Sequence, residues 1–319
     1  MAAPGCALFG PPPFTPGLGR LSTTMAHFST TVPKELVHRA AVAEVLLTRW
    51  LRLDDTHFSA SAQWPRGHSF FTSPDGLHHD PVLTAETIRQ VGTLLAHAEF
   101  GVPMGNYFVL ESLHFSVDLP GLELRNSPAD LELAVSCHDI RRSGSQVSGI
   151  RYVVEFFRDG IRVATGGVRA SFLKPTVYHR IRGGRLPGQP TTAALPEPVD
   201  PSLVGRRDEA DVVLAPTEEP RRWLVRADTR HPILFDHPCD HVPGMVLLEA
   251  ARQAALIMAP GATTLTAAQS SYSRYVEFDA PCSIEAREEH TADPTSRQFL
   301  IRAEQNGRTV FTTTLSTPA

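Results

Sequence analysis

The sequence predicts an α+β protein built from two tandem copies of one domain, each an antiparallel sheet curled around a single central helix. Three observations lead there. Five polar residues recur at a constant spacing. Each recurrence runs into a helix that is largely apolar. Alternating, strand-like runs follow both helices. A chain of 319 residues is long enough for two domains with cores of their own.

His68, His78, Glu86, Arg89 and Gln90 reappear as His231, His241, Glu249, Arg252 and Gln253, each 163 positions further on (231−68, 253−90). Phe115 and Phe278 keep the same spacing. Five ungapped identities among polar types in so short a window mark an internal duplication. Between the copies, Gly183 to Arg207 is rich in Pro, Gly and Thr and lacks apolar periodicity, which reads as a linker. The expected organisation is a disordered Pro/Gly-rich tail over 1–28, a first repeat over 29–182, a linker over 183–207 and a second repeat over 208–319. In the tail, Gly5-Cys6 lacks the basic region of a lipoprotein signal and Pro11 to Pro13 interrupt any apolar core; Met25 is an alternative start.

Both copies share one order of elements. Two strand-like runs come first, EVLLTRW and HFSASAQW, then DVVLA and RRWLVRAD. A loop with several His and Pro residues follows, then a helix over about 82–98 or 245–258. Alternating runs complete each copy: YFVLESLHFSVD, ADLELAVSCHDI, GIRYVVEFFRDG and IRVATGGVRASFL, then SSYSRYVEFD, SIEAREEH, RQFLIRAEQNG and RTVFTTTLS. Arg158-Asp159-Gly160 and Gln305-Asn306-Gly307 are hairpin signals. A long helix followed by an antiparallel meander is the hotdog pattern, so the expected fold is a double hotdog. One chain then contains the pairing that single hotdogs make as dimers, and either a monomer or a homodimer is compatible with it.

Composition narrows the function classes. An apolar fraction of 42%, a charged fraction of 20% and a net charge of −4 describe an ordinary globular protein with no basic nucleic-acid footprint. No helix-turn-helix with a basic recognition helix is apparent, which disfavours a DNA-binding receptor. Cys6, Cys137, Cys239 and Cys282 are scattered without CxxC spacing, so a reducing cytoplasm and no disulfide framework are expected. No run approaches the roughly 18 apolar residues of a membrane helix, and no membrane association is expected.

The chemistry concentrates on the helices and the loops before them. GMVLLEAARQAALIMA is apolar nearly all round, yet holds Glu249 and Arg252. A buried charge needs a partner or a task. At i, i+3 the two side chains can simply pair, but the first helix repeats the arrangement, and both follow a His-rich loop at a helix N-terminus that favours oxyanions. Of the 14 histidines, His57, His97, His138, His179 and His290 read as surface or satisfied core residues. The cluster His231, His237, Asp240 and His241 in HPILFDHPCDH differs, lying directly before Pro243-Gly244 and the helix. Its spacing matches no metal-ligand pattern, and neither metal nor cofactor is expected. Cys239 falls opposite Gly76 in the other copy, so the duplication does not support it as a nucleophile.

PGMVLLEAARQAA resembles the active-site helix of hotdog dehydratases through Pro243, Gly244 and Glu249; the dehydratase histidine falls at Phe235, with His237 close by. A closer resemblance covers nearly the whole chain after the tail. VPKELVHRAAVAEVLLTRW (32–50), HDPVLTAETIRQ (79–90), HPILFDHPCDHVPGMVLLEAARQAA (231–255) and YVEFDAPC (275–282) are similar to the A-factor biosynthesis family, the γ-butyrolactone autoregulator synthases. The resemblance implies transfer of a β-ketoacyl group from acyl carrier protein to dihydroxyacetone phosphate, giving an ester that closes to a butenolide. A thioesterase or dehydratase of the same fold is the alternative enzyme, and an acyl- or lactone-binding regulator the non-enzymatic one.

Such a reaction needs a base, an oxyanion site and a place for phosphate. Glu86 or Glu249, raised in pKa by burial, is the expected base. Backbone N–H groups near Gly244 are the expected oxyanion donors, and Arg252, or else Arg89, the fork for phosphate or keto oxygen. The expected site is composite, Glu86 with Arg252 supported by His241 and Asp240, with a pseudo-symmetric counterpart around Glu249 and Arg89. His231, His237, His78, Gln90 and Gln253 are expected to contact substrate.

Overall fold

The computed structural model describes residues 30–183, 185 and 194–319; the 1–28 tail and most of the first half of the 183–207 linker lie outside them. The first half comprises β1 (Leu47–Arg52), β2 (His57–Trp64), α1 (Val82–Ala98), β3 (Tyr107–Val117), β4 (Ala129–Ser143), β5 (Gln146–Arg158), β6 (Ile161–Leu173) and α2 (Pro175–Arg182). The second comprises β7 (Leu214–Pro216), β8 (Arg222–Val225), α3 (Gly244–Met258), β9 (Ala267–Tyr272), β10 (Cys282–Glu289), β11 (Ser296–Gln305) and β12 (Arg308–Pro318). The twelve strands form one sheet in the order β1-β2-β4-β5-β6-β3-β9-β12-β11-β10-β8-β7. Its two halves meet where β3 pairs with β9, Ser112 opposite Ser271 and Ser116 opposite Ala267.

Sequence chemistry explains the elements. Along β5 and β12 inward and outward positions alternate, as period-2 patterning requires. The β5–β6 and β11–β12 hairpins turn on Asp159-Gly160 and Asn306-Gly307, all four at positive φ, the conformation for which those residue types are selected. α1 buries every residue except Arg89, His97 and Ala98, and α3 every residue except Gly244, Ile257 and Met258. Gly92 lets α1 approach the sheet: a Cβ there would collide with the Tyr152 ring, whose hydroxyl donates to the Ile88 carbonyl at 2.8 Å.

Two expectations need correction. The run SSYSRYVEFD is not one strand, because β9 ends at Tyr272. Its aromatic and β-branched alternation belongs to a loop: the Val276 carbonyl accepts from Val242 N–H at 2.9 Å, and Tyr275 packs on the Arg182 guanidinium at 4.3 Å. The second is α2, which had no predicted counterpart; it opens with Pro175 in its first turn and stops at Gly183, φ 60°. Among the described residues no helix is long and apolar enough to cross a membrane.

Candidate active site

Each central helix carries a buried carboxylate in a net of donors. Glu86 accepts from Arg89 Nε at 2.9 Å and Nη2 at 2.8 Å, from Arg39 Nε at 3.0 Å and from Gln90 Nε2 at 2.7 Å. Glu249 accepts from Arg252 Nε and Nη2 at 2.8 Å, Arg206 Nε at 2.9 Å and Gln253 Nε2 at 2.6 Å. Gln90 and Gln253 also tie each helix to the preceding backbone, through Leu46 N–H at 2.9 Å and Val213 N–H at 3.0 Å.

These nets overturn two expectations. Arg252 belongs to Glu249, so the composite of Glu86 with Arg252 does not form; the fork of Arg252 is engaged within its own half. Nor is either glutamate raised in pKa. Burial pushes both up, but Arg39 and Arg89 on one side, and Arg206 and Arg252 on the other, pull them down from 4.5 to about 2. Both stay ionised at neutral pH and are weak bases, ill-matched to taking a hydroxyl proton. Their place is to anchor guanidinium groups.

Arg39 and Arg206 escaped the sequence reading, and Arg206 lay in the presumed linker. The signal was present at a second spacing: Leu36-Val37-His38-Arg39 recurs as Leu203-Val204-Gly205-Arg206, 167 positions on (206−39). Four residues inserted between this run and the helix hid it from the 163 spacing.

One cavity of about 830 Å³ opens beside Glu86. It is walled by Phe108, Leu110, Ile150, Val168 and Phe172 of the first half and by Leu234, Met245 and Leu247 of the second. Arg39, Glu86, Arg89 and His38 face it from one side, and His237, His241 and Gly244 from the other. The two halves are stitched across it. Arg39 Nη1 donates to the Ile233 carbonyl at 3.1 Å, and the Asp236 carboxylate accepts from Ala40 N–H at 2.6 Å and Ala41 N–H at 3.1 Å.

His241 lines this cavity with a carboxylate behind it. Its Nδ1 lies 2.6 Å from Asp240 Oδ1. Asp240 also accepts from the Tyr178 hydroxyl at 2.8 Å and from Arg182 Nε at 3.0 Å. Burial raises the Asp240 pKa, but hydrogen bonds from His241, Arg182 and Tyr178 outweigh it and hold the group well below the usual carboxylate range. An ionised carboxylate only accepts, so Nδ1 must carry the proton and the neutral ring keeps a lone pair on Nε2. The clamp on Asp240 comes from α2: Tyr178 stacks on Tyr107 at 3.6 Å, and Arg182 continues to Glu277 at 2.6 Å.

Other predicted residues have structural places. His231 turns inward, accepting on Nδ1 from Ile233 and Leu234 N–H at 3.2 and 3.0 Å and meeting Asp211 at 3.0 Å. His68 does the same in the first half, for Phe70 and Phe71 at 3.1 Å. His78, the counterpart of His241, is half-exposed beside Asp75 at 4.0 Å, and Leu77 stands where its partner would need Asp240. His231, His78, Gln90, Gln253, Glu249 and Arg252 do not line the cavity. Cys239 does, with its thiol pushed up to about 11 by burial and by Asp240 and Asp236. Among the described residues no three His, Cys, Asp or Glu side chains converge as metal ligands.

The helix N-termini complete the asymmetry. At α1 the Asp80 carboxylate accepts from Val82 N–H at 2.9 Å and faces Arg206 at 3.4 Å and Arg252 at 3.8 Å. Pro243 replaces Asp80 before α3, so the Gly244 and Met245 N–H groups have no hydrogen-bond partner among the described residues. One half is filled by its own carboxylate; the other is open.

The fold and site thus define a double-hotdog protein with an open site on the Glu86 side. The chain belongs to the A-factor biosynthesis hotdog family, whose domain matches residues 22–174 and 188–319. It is 50% identical over 290 residues to a 2-oxo-3-(phosphooxy)propyl 3-oxoalkanoate synthase of Streptomyces virginiae, covering 91% of this chain and 98% of the relative. The synthase of that name from Streptomyces griseus is 38% identical over 288 residues, 89% of this chain and 94% of the relative. Among solved structures, a 12:0-ACP thioesterase from Umbellularia californica follows 84% of the chain, over 100% of its own, at 11% identity and a TM-score of 0.49.

Proposed function

We propose that the chain transfers a 3-oxoacyl group from a carrier-bound pantetheine thioester to the hydroxyl of dihydroxyacetone phosphate. The product is a 2-oxo-3-(phosphooxy)propyl 3-oxoalkanoate, the substance named for its relatives. The observation that carries the mechanism is the Asp240–His241 dyad beside the uncapped start of α3. His241 Nε2 takes the hydroxyl proton as the alkoxide oxygen attacks the thioester carbonyl. The tetrahedral oxyanion is received by the N–H groups of Gly244 and Met245 at the positive end of α3. The C–S bond then breaks, and the proton held by His241 passes to the departing thiolate.

The cavity's apolar wall suits an acyl chain. Arg39 and Arg89 share one carboxylate, which leaves one net positive charge facing the cavity beside Glu86. Arg274 and Arg308 reach its rim exposed and without an ion-pair partner among the described residues, and a phosphate there would be recognised by their planar forks. In this reading Arg252 has no substrate contact.

Mass spectrometry of the protein incubated with 3-oxoacyl carrier protein tests the reading. A phosphorylated 3-oxoacyl ester is expected only when dihydroxyacetone phosphate is added. Free 3-oxo acid at equal rates with and without it would make the chain a thioesterase, and no turnover would favour a binding protein.

A further inference from the structure

The duplication gives each cavity residue an internal control. In both halves the helix arginine donates to the valine of the Leu-Val-x-Arg run, Arg89 to Val37 and Arg252 to Val204, each at 3.1 Å. The residue after that valine has positive φ in both: 61° at Gly205 and 52° at His38. Glycine adopts this conformation freely, whereas a side chain crowds its own carbonyl. In the closed half there is little room, since a Cβ at Gly205 would sit 3.1 Å from Leu256 Cδ1. Only beside the cavity does this glycine-type position carry a functional side chain.

The imidazole is held in one tautomer. His97 Nδ1 lies 2.7 Å from the Val102 carbonyl, which only accepts, so in the neutral ring His97 Nε2 has the lone pair. His38 Nε2, 2.7 Å away, must then donate to it, leaving His38 Nδ1 unprotonated. Phe108 packs edge-on against the ring at 4.6 Å. Burial, then Arg89, His97 and His237, lower the His38 pKa from 6.5 to about 3, so the ring stays neutral.

His38 lines the cavity and its Nδ1 has no hydrogen-bond partner among the described residues, which suits a donor on a substrate. On the reading above, the single hydroxyl of the acceptor gives its proton to His241. The phosphate dianion and the 3-oxo group only accept. The remaining donors are on the thiol arm of the acyl donor, whose nearest is an amide N–H. We infer that His38 is a substrate-binding residue whose Nδ1 accepts a hydrogen bond from the amide of the pantetheine arm, so that the site recognises the thioester's carrier end as well as its acyl chain.

The test compares 3-oxoacyl N-acetylcysteamine, which keeps that amide, with the propanethiol thioester, which lacks it. Wild type is expected to favour the first at least tenfold in kcat/KM. His38→Gly, which suits the backbone and mirrors the closed half, should erase the preference and leave the KM for dihydroxyacetone phosphate unchanged. His38→Asn, tolerant of positive φ and presenting an acceptor oxygen, should restore most of it. Equal preference in wild type and His38→Gly, no preference in wild type, or a change confined to the phosphate acceptor would each overturn the inference. Failure of wild type to form any ester would instead refute the transferase reading on which it rests.

Discussion

Replacing Asp240 with Asn isolates the dyad while keeping its shape. The carboxylate accepts three hydrogen bonds, from His241, Tyr178 and Arg182, and donates none. An amide cannot reproduce this in either orientation. With its NH₂ toward Arg182 two donors face each other in a buried place, and His241 loses the carboxylate that fixes its ring. With its NH₂ toward His241 the imidazole must accept on Nδ1, which moves the proton to Nε2 and removes the lone pair from the cavity. The second outcome eliminates the base, and general-base contributions are about 10²–10⁴ in rate. A hundredfold loss corresponds to about 2.7 kcal/mol of transition-state stabilisation. Initial rates of ester formation, followed by mass spectrometry with acceptor saturating, should fall at least a hundredfold. The acceptor KM should move little, and the fold should survive because Arg182 keeps Glu277. Rates within threefold of wild type for both Asp240→Asn and His241→Gln would refute the dyad as the source of the base.

The remaining expectations concern stability. Glu249→Gln should destabilise the fold at pH 7 by about 3 kcal/mol, since it leaves Arg206 and Arg252 with Asp80 as their remaining carboxylate. Because the folded pKa is depressed from 4.5 to about 2, this contribution is complete above pH 4.5 and is lost as pH falls through about 2. Urea unfolding of wild type and variant at pH 7 and pH 3 should therefore show a smaller difference at the lower pH. Gly92→Ala should force the Tyr152 ring away from the Ile88 carbonyl, costing about 1–3 kcal/mol and lowering Tm by several degrees in a calorimetric scan; an unchanged Tm would contradict the close approach.

Some of this was legible from residue order alone. The helices are periodic and long, so α1 and α3 emerged within a residue of their ends, and Asp159-Gly160 and Asn306-Gly307 announced their hairpins. His241 and Asp240 stood out because they are adjacent in a loop that the duplication marked. What did not show was long-range. Tyr178 and Arg182 reach Asp240 from 62 and 58 positions away, from a helix too short to leave a period. The pKa of Glu86 was misjudged for the same reason: burial is readable from an apolar surround, but the cation that reverses it, Arg39, comes from 47 positions upstream. The choice between the two halves likewise depended on Asp80, whose reach to Arg206 and Arg252 only folding reveals.

Asp80 also has a meaning for how such a chain changes over time. In a dimer of identical single domains, any substitution appears in both sites at once, and a carboxylate that plugged one would plug the other. Fusion into one chain lifts that restriction. In the fused chain the two loops differ: one presents Asp80 to Arg206 and Arg252, and its twin has Pro243 in that place. The molecule accordingly counts as one receptor rather than two, and a calorimetric titration with a non-reactive thioester should saturate at one equivalent per chain.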